Sequence, residues 1–295
     1  MLLISEGRFD RRDLKQLLPK GRPRVSISSD APTGNPLPLP DLGKKIGQYR
    51  LGRILGRGNS TVVFRSTHRE LNLPVAVKVA VSTVAVPQMK SETVALSAIN
   101  HKNVIRLWDA MPNAIVLERA RFSVKQLLTK RGSLAPATVF VIARSVIRGL
   151  NAAHQAGFLH DDIKPGNLLV TADGVVKVAD FGLARRFEDH RESDQVTGSW
   201  AYLAPECFHG QGDHRADIYS LGLTLHQMLT GIAPVSATTF AEARTAHSTL
   251  NLEPLHWTVP GVSRAAARLV KQMTSRHPDD RPDDYNELLA GFARL

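Results

Sequence analysis

The chain has 295 residues, a formal net charge of +11 at pH 7 and 43% apolar residues, with Cys207 as its single cysteine. That is enough chain for one or two domains with a sizeable core, and it excludes wholesale disorder, an internal disulfide and a cysteine-based metal cage. No apolar run reaches the roughly 18–20 residues that cross a bilayer, and the opening MLLISEGRFDRR is too short in apolar residues for a secretion signal. These features predict a cytoplasmic protein.

Residues 1–47 are rich in Pro, Ser and Gly and carry nine Lys/Arg against five Asp/Glu. They read as a basic, largely disordered arm, with a short helix around Arg11–Leu18. The remaining positive charge is dispersed, so specific nucleic-acid binding is not expected.

From Tyr49 the pattern changes. YRLGRIL, TVVFRST and PVAVKVA are short β-branched runs broken by Gly, Asn and Pro, and they read as strands. Pro87–Ile99 reads as a helix, followed by the strand-like VIRLW and AIVLE. Beyond Glu118 the chain turns helical. Phe140, Ala143, Ile147 and Leu150 recur at helical spacing within Ala137–His154. Further helices fit Ala216–Leu229, Ser263–Thr274 and Asp283–Phe292. Strands first and helices second predict an α+β protein of two lobes, a small β-rich lobe over 48–118 and a larger helical lobe over 122–295, joined near Glu118–Arg121. The single tryptophans, Trp108, Trp200 and Trp257, read as packing residues, and Cys207 reads as buried and inert.

Three stretches carry chemistry. LGRGNSTVV, Leu55–Val63, joins two predicted strands, and Gly56 and Gly58 let the backbone approach phosphate oxygens closely. Lys78, in VAVK on the next strand, sits among apolar neighbours and needs an anionic partner. Glu92 fits that role, because Leu96 and Ile99 bury the same helix four and seven places later. HDDIKPGN (160–167) and DFG (180–182) follow, the second after the strand-like VVKVA. Two carboxylates and Asn167 near one pocket suit a hard divalent cation shared with phosphate. Asp162 with Lys164 could orient a hydroxyl nucleophile.

LGRGNSTVV, VAVK, ETVALSAINHKNVI, HDDIKPGN, DFG, GSWAYLAPE, DIYSLG and HPDDRP, in that order, resemble the protein kinase family over residues 49 to about 292. The resemblance implies a bilobal kinase fold, ATP with Mg²⁺ (Mn²⁺ an alternative), and a protein substrate with a Ser/Thr acceptor. It further implies that Leu55, Gly56, Arg57, Gly58, Asn59, Ser60, Thr61, Val62, Val63 and Ala76 cover the nucleotide. Lys78 would hold the α- and β-phosphates, paired to Glu92. Leu117 would be the gatekeeper, with the backbone of Glu118 and Ala120 meeting adenine. Asp162 would be the catalytic residue, assisted by Lys164 and Ser199, which mark the serine/threonine class. Asn167 and Asp180 would bind metal. Glu206 and Arg281 would form a buried ion pair, and Asp217 would brace the catalytic loop.

Two positions depart from the family pattern. Thr61 replaces a third glycine and stiffens the phosphate loop. Asp161 stands where an arginine usually pairs with a phosphorylated activation segment, and an aspartate would repel that phosphate. Activity independent of phosphorylation at Ser193, Thr197 or Ser199 is therefore expected. The alternative is a pseudokinase or scaffold without efficient transfer.

Overall fold

The computed structural model describes residues 34–189 and 199–295. The helix expected at Arg11–Leu18 lies outside them, as do Ser193 and Thr197. The small lobe is a six-stranded antiparallel sheet in the order β1-β2-β3-β4-β6-β5. Its strands are β1 (Lys45–Ile46), β2 (Tyr49–Arg57), β3 (Thr61–His68), β4 (Pro74–Ala80), β5 (Leu107–Met111) and β6 (Ala114–Glu118). Side chains alternate across it with the period of two that a pleated strand imposes. Val62, Phe64, Val75, Val77 and Val79 bury into an outer cluster with Tyr49 and Leu51. Val63, Ala76, Ile115 and Leu117 belong to the main core on the other side.

Helix α1 (Ala85–Ala98) follows β4. It starts two residues before Pro87, because proline is tolerated in a first helical turn, where its missing N–H has no intrahelical acceptor anyway. VIRLW is displaced: the strand forms at Leu107–Met111 instead. The stretch 34–46, grouped with the arm on composition, runs along the small lobe. Leu37 donates its N–H to Val81 O at 2.9 Å, Thr83 donates to Asn35 O at 3.0 Å, and β1 pairs with β2.

The crossing into the large lobe is β7 (Ala120–Ser123), which pairs with β9 (Leu168–Thr171) and so fastens the hinge to the lobe that carries the catalytic loop. Helices α2 (Val124–Arg131), α3 (Pro136–Gln155), α4 (His214–Thr230), α5 (Phe240–Ser248), α6 (Leu255–Thr258), α7 (Arg264–Met273) and α8 (Tyr285–Ala293) follow, with the short strands β8 (Phe158–Leu159), β10 (Val176–Val178) and β11 (Arg185–Arg186) between α3 and α4. α3 is buried over more than the expected stripe, since Val139, Ile142 and Val146 are also inaccessible. Phe140 is only half-buried and packs on Phe292 at 6.0 Å. Trp200 packs against Phe240, whereas Trp108 and Trp257 are exposed and not core residues. Among the described residues no helix is long and apolar enough to cross a membrane.

Candidate active site

Between the lobes lies a cleft of about 380 Å³. Strand β4 presents Lys78 to it from the face opposite the outer cluster. Its ammonium lies 2.6 Å from Glu92 Oε2 on α1 and 2.7 Å from Asp180 Oδ1 after β10. Three segments far apart in the chain therefore meet at one nitrogen. Burial alone would lower the pKa of Lys78, but the charges of Asp180 and Glu92 outweigh it and raise the value, so the amine stays protonated. The same lysine holds Asp180 down at about 2. Glu92 is buried, and that burial pushes its pKa up against the pull of Lys78. Asp180 has φ of +68°, a left-handed conformation uncommon outside glycine and tolerated best by Asn and Asp.

The catalytic loop is braced from below. Asp217 on α4 accepts the backbone N–H of His160 at 2.8 Å and of Asp161 at 2.9 Å. His160 Nδ1 accepts the Asp162 N–H at 3.2 Å, so the ring proton sits on Nε2 and is donated to Ala179 O at 3.1 Å. Burial lowers the pKa of His160 and keeps the ring neutral, in agreement with that tautomer. Asp162 is held in one orientation: Lys164 Nζ donates to its Oδ2 at 2.6 Å, Asn167 Nδ2 to the same oxygen at 2.9 Å, and Ser199 N–H to its Oδ1 at 3.3 Å. Lys164 also reaches Ser199 Oγ at 2.7 Å.

Asp161 does not face open solvent. Its φ is +60°, and its Oδ2 pairs with Arg185 Nε at 2.7 Å. Arg185 also donates to Gly212 O and to Asp189 O, which ties the activation segment to the catalytic loop and to the N-terminal side of α4. Burial and the neighbouring Asp161 push Asp217 up to about 7. Arg281 is wholly inaccessible and bonds Glu206 through both terminal nitrogens, at 2.6 and 2.8 Å. It also donates to the carbonyls of Ser275, Arg215 and Arg276. Cys207 is half-buried and not fully enclosed as expected, and that burial raises its thiol well above its usual value.

Of the residues expected over the nucleotide, Leu55, Gly56, Arg57, Gly58, Thr61, Val63, Ala76, Lys78, Glu92, Leu117, Glu118 and Ala120 line the cleft, together with Asn167 and Asp180. Asn59 and Ser60, at the turn between β2 and β3, do not. Val62 does not either: strand alternation turns it into the outer cluster. Sequence reasoning missed Ile105, Leu169 and Ala179, which form the apolar walls. Leu169 was findable, because it alternates with the buried Leu168 and Val170 on β9. Space beside Gly56 is open: a Cβ there would meet nothing within 4 Å.

A hard divalent cation fits this donor set. Asn167 spends its Nδ2 on Asp162, leaving its carbonyl oxygen available, and the Asp180 side chain is 45% exposed toward the cleft. Among the described residues no three His, Cys, Asp or Glu side chains gather into an all-protein cage. This combination suits Mg²⁺, which prefers a few carboxylate or carbonyl oxygens supplemented by phosphate and water.

The family model described as "Protein kinase domain" matches residues 49–290. The chain is 30% identical over 250 residues to serine/threonine-protein kinase PknL of Mycobacterium tuberculosis, covering 80% of this chain and 63% of that protein. It is 33% identical over 258 residues to serine/threonine-protein kinase Pkn1 of Myxococcus xanthus, covering 82% of this chain and 37% of the relative. A probable serine/threonine-protein kinase of Clostridium perfringens is 29% identical over 268 residues, covering 86% of this chain and 39% of the relative. The chain thus spans between about a third and two thirds of the length of these relatives. With the match running from β2 into α8 and the cleft lying inside it, the chain belongs to the protein kinase domain family, whose chemistry uses ATP and a divalent metal.

Proposed function

We propose that this chain is an active serine/threonine protein kinase of the cytoplasm that transfers the γ-phosphate of Mg²⁺-ATP to Ser/Thr hydroxyls of protein substrates, with residues 48–295 as the catalytic domain. The observation that carries the reading is the convergence of Lys78, Glu92 and Asp180 within 2.7 Å contacts. In this reading the backbone around Gly56 and Gly58 covers the phosphates, and Lys78 fixes the α- and β-phosphates. Asn167 and Asp180 hold the cation, which supplies charge neutralisation at the transferred group. Leu117, Glu118 and Ala120 seat the adenine. Asp162, locked by its hydrogen bonds, orients the acceptor hydroxyl and takes its proton. Lys164 steadies the transferred phosphoryl group, and Ser199 holds Lys164 in place.

The Asp161–Arg185 pair supports activity without phosphorylation of the activation segment, since the anion that anchors the segment is already part of the chain. Alanine at Ser193 and Thr197, with mass spectrometry of the purified protein, tests this; strong activation by a phosphate at either residue contradicts it. Asp161 and Thr61 favour a pseudokinase as the second reading. Transfer to a generic protein substrate, with phosphosite mapping, separates the two. Lys78→Ala and Asp180→Ala each lower transfer by on the order of a hundredfold or more, and folded variants that keep turnover would contradict the assignment.

A further inference from the structure

The mouth of the cleft carries cations whose charges are not paired among the described residues. Arg53 and Arg57 on β2, Arg121 on β7 and Lys125 in the first turn of α2 border it. Arg119 stands beside Arg65 and Arg53: burial first, and then the charges of those two arginines, lower its pKa. None of these six forms an ion pair among the described residues. The one acid of the hinge, Glu118, is taken by Lys177 at 2.8 Å.

A second cavity of about 460 Å³ opens on the large-lobe side, between α2 and the Lys164–Ser199 contact. Lys125, Thr129, Lys164, Ser199, Tyr202 and Gln227 line it, and among the described residues no Asp or Glu does. The stems of Lys125 and Lys164 flank Gly166, each 3.9 Å from where a Cβ would stand. The charge of Lys164 is matched by Asp162 at 2.6 Å, whereas that of Lys125 is not matched among the described residues. The Lys125 N–H donates to Pro165 O at 2.9 Å, which fixes the base of α2 to the catalytic loop. A gathering of like charges raises local potential and attracts an anion. The reading above assigns the triphosphate to Lys78 and the glycine turn, so these cations await a different one.

We propose that the acceptor segment of the protein substrate is acidic, with Asp, Glu or a phosphorylated residue beside the acceptor Ser/Thr, recognised by Lys125 and the arginines of the cleft mouth. This rests on the kinase reading and names its substrate class. Three peptides of equal length, each with one Ser and either acidic, neutral or basic flanks, are compared by kcat/KM at saturating Mg²⁺-ATP. The acidic peptide is preferred over the basic one by tenfold or more. Lys125→Glu reduces that ratio about tenfold, and raising salt well above physiological ionic strength shrinks it, because exposed charges are screened. Lys125 also borders the nucleotide cleft, so the ratio between peptides is the readout and not the absolute rate. Fluorescence anisotropy of the acidic peptide with Ala in place of Ser reports binding without transfer: it binds the wild type and is lost with Lys125→Glu. Equal or better use of the basic peptide overturns the acidic preference alone. No transfer to any peptide by protein that binds ATP overturns the kinase reading, and the acceptor assignment with it. Displacement of the labelled peptide by a single-stranded oligonucleotide more readily than by unlabelled peptide also overturns the proposal, assigning the surface to nucleic acid.

Discussion

Replacing Arg185 by Met removes the cation paired with Asp161 while keeping most of the side-chain volume. The two side chains are 13% and 3% exposed, and their contact is 2.7 Å. At an effective dielectric of about 20, unit charges about 4 Å apart attract by about 4 kcal/mol. Breaking a buried pair from one side costs about 3–5 kcal/mol by experiment on other proteins, so the two routes agree. For a domain of this size each kcal/mol shifts Tm by about 2–4 °C, which gives a drop of roughly 10 °C. Asp161→Asn should cost much less, because it also relieves repulsion with Asp217, and Arg185 can turn toward water. The double variant should then resemble Asp161→Asn, giving a coupling of roughly 2 kcal/mol or more in a double-mutant cycle. Urea unfolding of the four proteins measures it. Additivity within about 0.5 kcal/mol, or Arg185→Met no worse than Asp161→Asn, would refute the claim that this pair anchors the segment.

Three further outcomes follow from the same geometry. Asp217 is raised to about 7 from an ordinary 3.8, so its stabilising contribution is complete below pH 4 and is lost as pH rises through 7. Asp217→Asn removes that dependence, and the wild type should lose about 2–4 kcal/mol more than the variant between pH 5 and 8; parallel pH profiles would contradict it. Gly149→Ala in α3 should destabilise by about 1–3 kcal/mol despite better helix propensity, because the new Cβ would stand 2.7 Å from Asn103 O and 3.0 Å from Val178 Cγ2; equal or higher denaturation midpoint would sink this. Arg281→Lys gives up the planar fork that meets Glu206 and three carbonyls, and should lose about 3–5 kcal/mol in chemical denaturation; a loss under about 1 kcal/mol would show that the fork is dispensable.

Legibility in the sequence followed the strength of the local signal. The strands around Lys78 alternate cleanly, so their faces could be read, but the alternation was not carried through to Val62, which the sheet turns away from the cleft. Helices α2 and α5 were missed although each opens on a capping box, Ser123 with Gln126 and Thr239 with Glu242. Both are short, at 8 and 9 residues, and their apolar periodicity is weak. Lys78, Glu92 and Asp180 were placed together through motif order; their mutual contact depends on pairings 14 and 102 residues apart, which spacing alone cannot supply. The charge of Asp161 was legible, but its partner Arg185 is 24 residues away and became visible only when β11 paired with β8. Segment 34–37 has no periodicity to betray it, since it docks beside α1 through backbone hydrogen bonds and the single apolar side chain of Leu37.

The proposed phosphotransfer requires a triphosphate and a divalent ion to be held where β4, α1 and the segment after β10 meet. A crystal structure with a non-hydrolysable ATP analogue and Mn²⁺, located by its anomalous signal, tests that directly. The metal should lie between Asp180 and Asn167, with Lys78 bridging Glu92 and the α- and β-phosphates. An analogue bound elsewhere, or a metal peak remote from both residues, would contradict it.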